Sequence, residues 1–249
     1  SGAPGTAPEV VIPINPITAP VAGADYWLEF EFFPRHVPSW LPVNEPVARE
    51  QLKLDVTTPL PAALPKEPAA VSIDERGDQV TITGAGFKAA FSRAAGTLFS
   101  LDYGSGELIA GGAGPVLQVF RAPADNDKGF GKWLARDWRQ TGLDKLTRTV
   151  ESFEVKTLAP GRVQVIVVAR SAAATGAFVH RATWTLRGDG IIELANRVEP
   201  SGELPPLPRV GVVLQVAPGF ERFRWYGHGP DENYVDRKQS EFVGVWSRD

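Results

Sequence analysis

Phe178-Val-His-Arg-Ala-Thr-Trp-Thr-Leu-Arg187 is the stretch that decides the fold class. Phe178, His180, Ala182, Trp184 and Leu186 alternate with Val179, Arg181, Thr183, Thr185 and Arg187, so one set is largely apolar and the other largely polar. In a β-strand successive side chains point to opposite faces, and that order becomes one buried side and one wet side. The pattern recurs over residues 26–33, where Leu28, Phe30 and Phe32 share a face against Glu29 and Glu31. Residues 79–83, 97–103, 163–169, 191–198 and 210–216 predict five more strands from their β-branched content. Twenty-five glycines and 22 prolines are scattered between these runs, as expected for short strands joined by turns. One helix is expected, over residues 132–140, with Trp133, Leu134 and Trp138 and with Gly142 as its terminating residue. The predicted fold class is all-β.

Residues 59–68 hold four prolines in ten positions, which excludes a helix or a central strand and predicts a stiff linker over residues 59–69. The linker divides the chain into residues 1–58, read as the tail of a domain, and a main β domain over residues 70–249. With 249 residues and 43% hydrophobic content a real core can close. Twenty-six basic and 29 acidic residues leave a net charge of -3, without long like-charge runs, so neither nucleic acid nor a membrane surface is an expected partner. The absence of methionine marks Ser1 as no natural start, and the chain reads as an excised fragment with Ser1-Gly2 as a cloning or cleavage remnant. Zero cysteines exclude disulfides and thiolate metal sites, and leave cytoplasm and periplasm both open.

Two polar clusters carry the chemistry. In Arg121-Ala-Pro-Ala-Asp-Asn-Asp-Lys-Gly129, two carboxylates, an amide and a guanidinium lie between an apolar strand and a glycine turn. A calcium loop starting at Asp125 fails, because its sixth position is Phe130 and its twelfth Arg136. Turn-and-cap structure and ligand contact both remain open, with an acid/base pair of Asp125 and Asp127 as a further alternative. In Trp225-Tyr-Gly-His-Gly-Pro-Asp-Glu-Asn-Tyr-Val-Asp-Arg237, aromatics and acids surround two glycines and a proline. Aromatic faces beside acids and amides suit a pyranose, which offers a C–H face and a rim of hydroxyls. A buried ion pair of Asp236 or Glu232 with Arg237 is the alternative. His36, His180 and His228 are too scattered for a zinc site, and His180 is expected in the core. No nucleophile elbow, P-loop or HExxH motif occurs, and strands do not alternate with helices as in a TIM barrel.

The series of motifs resembles the C-terminal region of LacZ-type β-galactosidases, glycoside hydrolase family 2. Gly86-Phe-Lys-Ala-Ala-Phe91 with Ala95-Gly-Thr-Leu-Phe-Ser-Leu101 is similar to the opening hairpin of that family's small-chain domain. Phe120 to Gly129 resembles its RAPxDND-x-G motif, Trp138 with Gly142-Leu143 the segment that follows, and residues 225–237 its GxGPxENYxDR motif. Val119-Phe120 departs from the commoner Asn-Phe-Trp before Arg-Ala-Pro. Upstream, residues 25–51 resemble the closing strands of an immunoglobulin-like domain.

The resemblance implies a galactose-mutarotase-like β-supersandwich from residue 70, incomplete at its C-terminal end, after the end of an immunoglobulin-like sandwich. It implies retaining hydrolysis of terminal β-galactosides by two glutamates on a TIM barrel outside this chain, with no catalytic residue and no cofactor here. Magnesium and sodium would belong to that barrel. Asp125, Asn126, Asp127 and Gly129 are the implied substrate-side residues, shaping and closing a galactose pocket through a mobile loop from Gly129 onward. Arg121, Glu232, Asn233, Tyr234, Asp236 and Arg237 are structural members of the motifs. Implied partners are a β-galactoside or galactose bound by the full enzyme, the remaining domains of the parent chain, and further copies in a homo-oligomer. The family domain continues beyond the equivalent of Asp249 and brings an aromatic to the sugar from there. A free-standing carbohydrate-binding β-sandwich is the rival reading; an epimerase would need a His and Glu acid/base pair that these motifs do not provide.

Overall fold

The computed structural model describes residues 9, 11–62, 68–129, 131–234 and 237–249. The chain divides into two compact units, one of residues 1–64 and 224–247 and the other of residues 65–223 with 248–249. In the first unit β1 (Trp27–Phe32) pairs antiparallel with β2 (Ala48–Lys53). Their register sets three cross-strand polar pairs. Glu31 faces Arg49, at 3.2 Å; Glu29 faces Gln51, at 2.8 Å; and Trp27 faces Lys53, whose Nζ stands 5.6 Å from an indole ring centroid. Leu28 and Phe30 are half-buried as the alternation predicts, while Phe32 remains exposed.

The second unit starts with a meander of β3 (Ser72–Arg76), β4 (Gln79–Gly84), β5 (Phe87–Ser92) and β6 (Thr97–Asp102), paired in that order. Gly84 pairs with Phe87, so Ala85 and Gly86 alone turn the chain, and Gly86 does so at φ 81, where a side chain would be strained. After β7 (Val116–Gln118) come a 3-10 turn at Asp125–Lys128 and the helix α1 (Leu134–Thr141). The helix lies within two residues of the expected bounds and ends as expected at Gly142, which is left-handed at φ 78. A second meander follows, β8 (Thr147–Ala159), β9 (Arg162–Ala172), β10 (Gly176–Arg187) and β11 (Ile192–Gly202). β12 (Gly211–Val213) then returns to pair with β7. β13 (Phe223–Gly229) and β14 (Phe242–Arg248), which neighbour each other, return the chain to the first unit.

The architecture is all-β, two antiparallel meanders with their apolar sides together as in a β-sandwich. One cluster joins Val80, Ile82, Phe87 and Phe91 of the first sheet to Val163, Val165, Val167, Trp184 and Leu186 of the second. Phe91 and Trp184 meet edge to face with ring centroids 5.5 Å apart. Each large apolar side chain removed from water here contributes about 1.5–3 kcal/mol. Along β10 the predicted face, Phe178, His180, Ala182, Trp184 and Leu186, is buried throughout. Arg187 breaks the pattern: it is buried as well, its guanidinium held 2.7 Å from Asp189. A second cluster packs α1 through Ala135 and Trp138 against Leu117, Val119, Leu143 and Phe178. Val119, the departure noted before Arg-Ala-Pro, is a fully buried core residue. The chain enters the sandwich across Gly188, where an added Cβ would lie 1.6 Å from the Ala69 carbonyl oxygen. Residues 63–67 of the proline-rich stretch lie outside the described residues.

Candidate functional site

The polar loop after β7 is organised by one ion pair. Arg121 leaves the strand end and stacks its guanidinium 5.3 Å from a ring centroid of Trp138, itself buried and anchored by an indole N–H to Pro206 O at 2.8 Å. From there its two terminal nitrogens donate to both oxygens of Asp127, at 2.6 and 3.1 Å. The Ala124 amide adds a third bond to that carboxylate at 2.7 Å. Arg121 chiefly, with the Ala124 amide, holds the Asp127 carboxyl below the ordinary carboxylate range against the opposing effect of burial. Asp127 is only 7% exposed.

Its neighbours face the other way. Asp125 is exposed and pairs with Lys128 at 3.1 Å, and Asn126 is exposed on the same turn. Gly129 has extended backbone and open space where a side chain would sit. The four substrate-side candidates therefore divide into one inward anchor, Asp127, and an outward set of Asp125, Asn126 and Gly129. Among the described residues, no three His, Asp or Glu side chains gather into a group that could hold a metal ion.

The second cluster lies in the first unit, on and after β13. Arg237 and Glu232 form an ion pair whose side chains are both largely exposed, so with Glu232 the pair is a surface one, while its Asp236 alternative lies outside the described residues. Asn233 is exposed, Tyr234 is 40% exposed, and Asp236 lies outside the described residues. Gly229 is enclosed by tryptophans: an added Cβ would meet Trp246 at 2.6 Å and Trp225 at 2.9 Å. His228 Nδ1 lies 2.9 Å from the Glu241 carbonyl oxygen. That oxygen can only accept, so Nδ1 carries a proton and donates.

Several polar residues of this unit lie outside the two polar motifs. Glu241, 8% exposed, accepts from the Asp231 amide at 3.1 Å. Gln51 uses its side-chain amide as a strand would, donating to Val243 O and accepting from Val243 N, both at 2.8 Å. Asp25 binds Lys53 at 2.6 Å and the Tyr226 hydroxyl at 2.8 Å, and Lys53 above all lowers its carboxyl below the ordinary value. A groove of about 470 Å³ is lined by Trp27, Gln51, His228, Lys238, Glu241 and Phe242 among others. Its partners are 170 to 220 positions apart in sequence, which is why no spacing rule finds it.

Facing antiparallel meanders with an arginine–aspartate loop beside the core define an all-β sandwich protein. The chain belongs to the β-galactosidase small chain family, whose model matches residues 83–249. It is 32% identical to a β-galactosidase of Priestia megaterium over 202 residues, 80% of this chain and 19% of that protein. Over 234 residues it is 32% identical to a Vibrio cholerae β-galactosidase, covering 90% of this chain and 22% of the relative. A β-galactosidase of Arthrobacter sp. is 32% identical over 253 residues, 92% of this chain and 23% of its own length. The chain thus spans about a fifth of the length of the curated relatives it matches.

Proposed function

We propose that this chain is an accessory region of a β-galactosidase that hydrolyses terminal β-galactosides with retention, the two catalytic glutamates standing on a TIM barrel outside it. The observation that carries the reading is the family match over residues 83–249, joined to relatives named β-galactosidase of which the chain spans about a fifth. Residues 1–58 serve as the end of an immunoglobulin-like domain, 59–69 as a linker and 70–249 as the small-chain domain. The loop at residues 125–129 contributes to the wall of the galactose pocket, and the exposed sheet surfaces to a homo-oligomer. Within the loop the Arg121–Asp127 pair supplies rigidity, while Asp125, paired with Lys128, and Asn126 are exposed and positioned to meet a sugar hydroxyl.

Two measurements test the proposal. The pure chain should not turn over a chromogenic β-galactoside, and measurable hydrolysis would refute the placing of the chemistry elsewhere. In a full-length enzyme carrying this stretch, Asp125→Ala with Asn126→Ala should raise KM by about 2–10-fold, the worth of one hydrogen bond at about 0.5–1.5 kcal/mol. An unchanged KM would remove the loop from the pocket. The rival reading, a free-standing carbohydrate module, draws on the groove beside Trp27, where indole, amide and imidazole groups converge. Calorimetric titration of the chain with galactose and lactose separates the two, because millimolar or tighter binding favours the module.

A further inference from the structure

In the sheet of β8 to β11 the two edges are β8 and β11. β8 is a blunted edge. Its register with β9 shifts between Val150 and Ser152 and again between Thr157 and Ala159, and such bulges bend a strand away from further pairing. β11 runs in unbroken register with β10 from Ile192 to Gly202, and among the described residues no strand pairs with its other side.

The ladder decides which backbone groups face that open side. The Arg187 amide donates to Ile191 O and the Glu203 amide to Thr175 O, both at 2.9 Å, one at each end of the β10–β11 pair. Bonded and unbonded pairs alternate in an antiparallel ladder, so the odd-numbered residues of β11 bond to β10. Ile192, Leu194, Asn196 and Val198 therefore turn their N–H and C=O groups outward. Pro200 comes next in that series and has no N–H to offer, so the open ladder ends before it. The side chains of Ile192, Leu194 and Val198 are half-buried, while Glu193, Ala195 and Arg197 on the opposite face are exposed.

This edge is complementary to itself. A two-fold axis through Ala195 brings a second copy of β11 alongside with its outward-bonding residues in register, Ile192 opposite Val198 and Leu194 opposite Asn196. The same axis sets Glu193 of each copy opposite Arg197 of the other. Those pairs fall at unbonded positions, where Cα atoms stand about 4.5 Å apart and side chains approach most closely. Charges on an edge ordinarily deter pairing, but in this order they attract across the axis. Moving the axis to Asn196 would face Glu193 with Glu199, and moving it to Arg197 would face that arginine with its own copy. Both shifts oppose like charges.

We propose that β11 is a homodimer interface at which two copies of this chain join their sheets edge to edge about Ala195, with Glu193 of each copy paired to Arg197 of the other. The inference rests on the homo-oligomer reading above and deepens it by naming the surface and its register. Arg197, which stands 2.8 Å from Glu199 in the single chain, exchanges one exposed partner for another.

Sedimentation velocity of the chain at low salt tests the pairing, over a series reaching about 1 mM because a single strand pair buries less than the roughly 1,200 Å² of stable complexes. The wild type should pass from monomer to dimer along the series. Arg197→Glu should weaken association at least about tenfold, since the attraction lost and the repulsion gained both count twice across the axis. The double variant Glu193→Arg/Arg197→Glu should restore it, which a general loss of folding or solubility would not do. The chain has no cysteine, so Ala195→Cys puts a single thiol on the axis and oxidation should link two copies through it. Glu199→Cys should not link, because its two thiols would lie eight residues apart along the ladder, about 26 Å. The proposal is overturned if the chain stays monomeric throughout, if the charge-swapped variant associates no better than Arg197→Glu, or if both cysteine variants link equally. A monomeric chain would leave the galactosidase reading to its own turnover and KM tests.

Discussion

Replacing Asp127 by alanine or asparagine tests whether the loop after β7 is held by its ion pair. Asp127→Ala removes two charge-assisted bonds to Arg121 and one from the Ala124 amide, and it leaves a guanidinium stacked on Trp138 without its carboxylate. The Asp127 side chain is 10% exposed and that of Arg121 26%, so the pair is neither fully buried nor at the surface. Breaking a buried pair costs about 3–5 kcal/mol and an exposed one about 0–1, which places Asp127→Ala at about 2–3 kcal/mol. At about 2–4 °C per kcal/mol for a unit of this size, the melting temperature should fall by about 4–12 °C. Asparagine keeps the shape and loses the charge, and should cost about half as much.

The pH dependence supplies an independent check. The folded carboxyl titrates below its ordinary value, so its stabilising effect is complete above the unfolded value of about 4 and is lost as pH falls through the folded one. The gap between wild type and Asp127→Asn in urea denaturation should therefore be constant between pH 6 and 7 and shrink below about pH 4. A loss under about 0.5 kcal/mol, the range of ordinary surface substitutions, would refute the anchoring role. So would a gap that widens in acid.

Three other outcomes follow from the packing. Gly188→Ala should destabilise the sandwich by more than about 2 kcal/mol in urea denaturation, because the obstructing atom is the Ala69 backbone carbonyl and cannot rotate aside. His180 is 3% exposed and hydrogen-bonded to Asn196 at 2.8 Å; burial chiefly, with Arg148, lowers its pKa while Asn196 opposes. Its contribution is thus complete above the unfolded value of about 6.5 and is lost as pH falls from there, so wild-type stability should decline below pH 6.5 more steeply than that of His180→Gln. Gln51→Ala should cost about 1–2 kcal/mol in the first unit and speed hydrogen exchange at the Val243 amide, whose acceptor is the Gln51 side chain; unchanged exchange would refute that pairing.

Much of the fold was legible because strand periodicity is local. The alternation over residues 178–187 names the buried face of β10, and the helix near 132–140 is marked by Gly142 at its end. Strands such as β8 and β14 are not marked by the sequence, since the alternation of β8 is broken at its bulge between Val150 and Ser152 and β14 is little buried. The site was legible as two motifs but not as geometry. Asp125 and Asp127 are equivalent in a sequence reading, and Arg187 looks like an outward residue.

By itself the sequence determined the all-β class, the inward face of β10, the end of the helix and the family to which the motifs point, because each is built from local signals, every strand pattern and every motif being read within a short run of residues. Only the tertiary structure decided which aspartate turns inward, since that depends on a guanidinium seated on Trp138, a residue held by α1 and the carbonyl of Pro206. It also decided that residues 224–247 pack with the N-terminal segment, through contacts such as Gln51 with Val243 and Asp25 with Tyr226. Contacts across some 200 residues leave no periodic trace in the sequence, because they depend on where the intervening sandwich returns the chain.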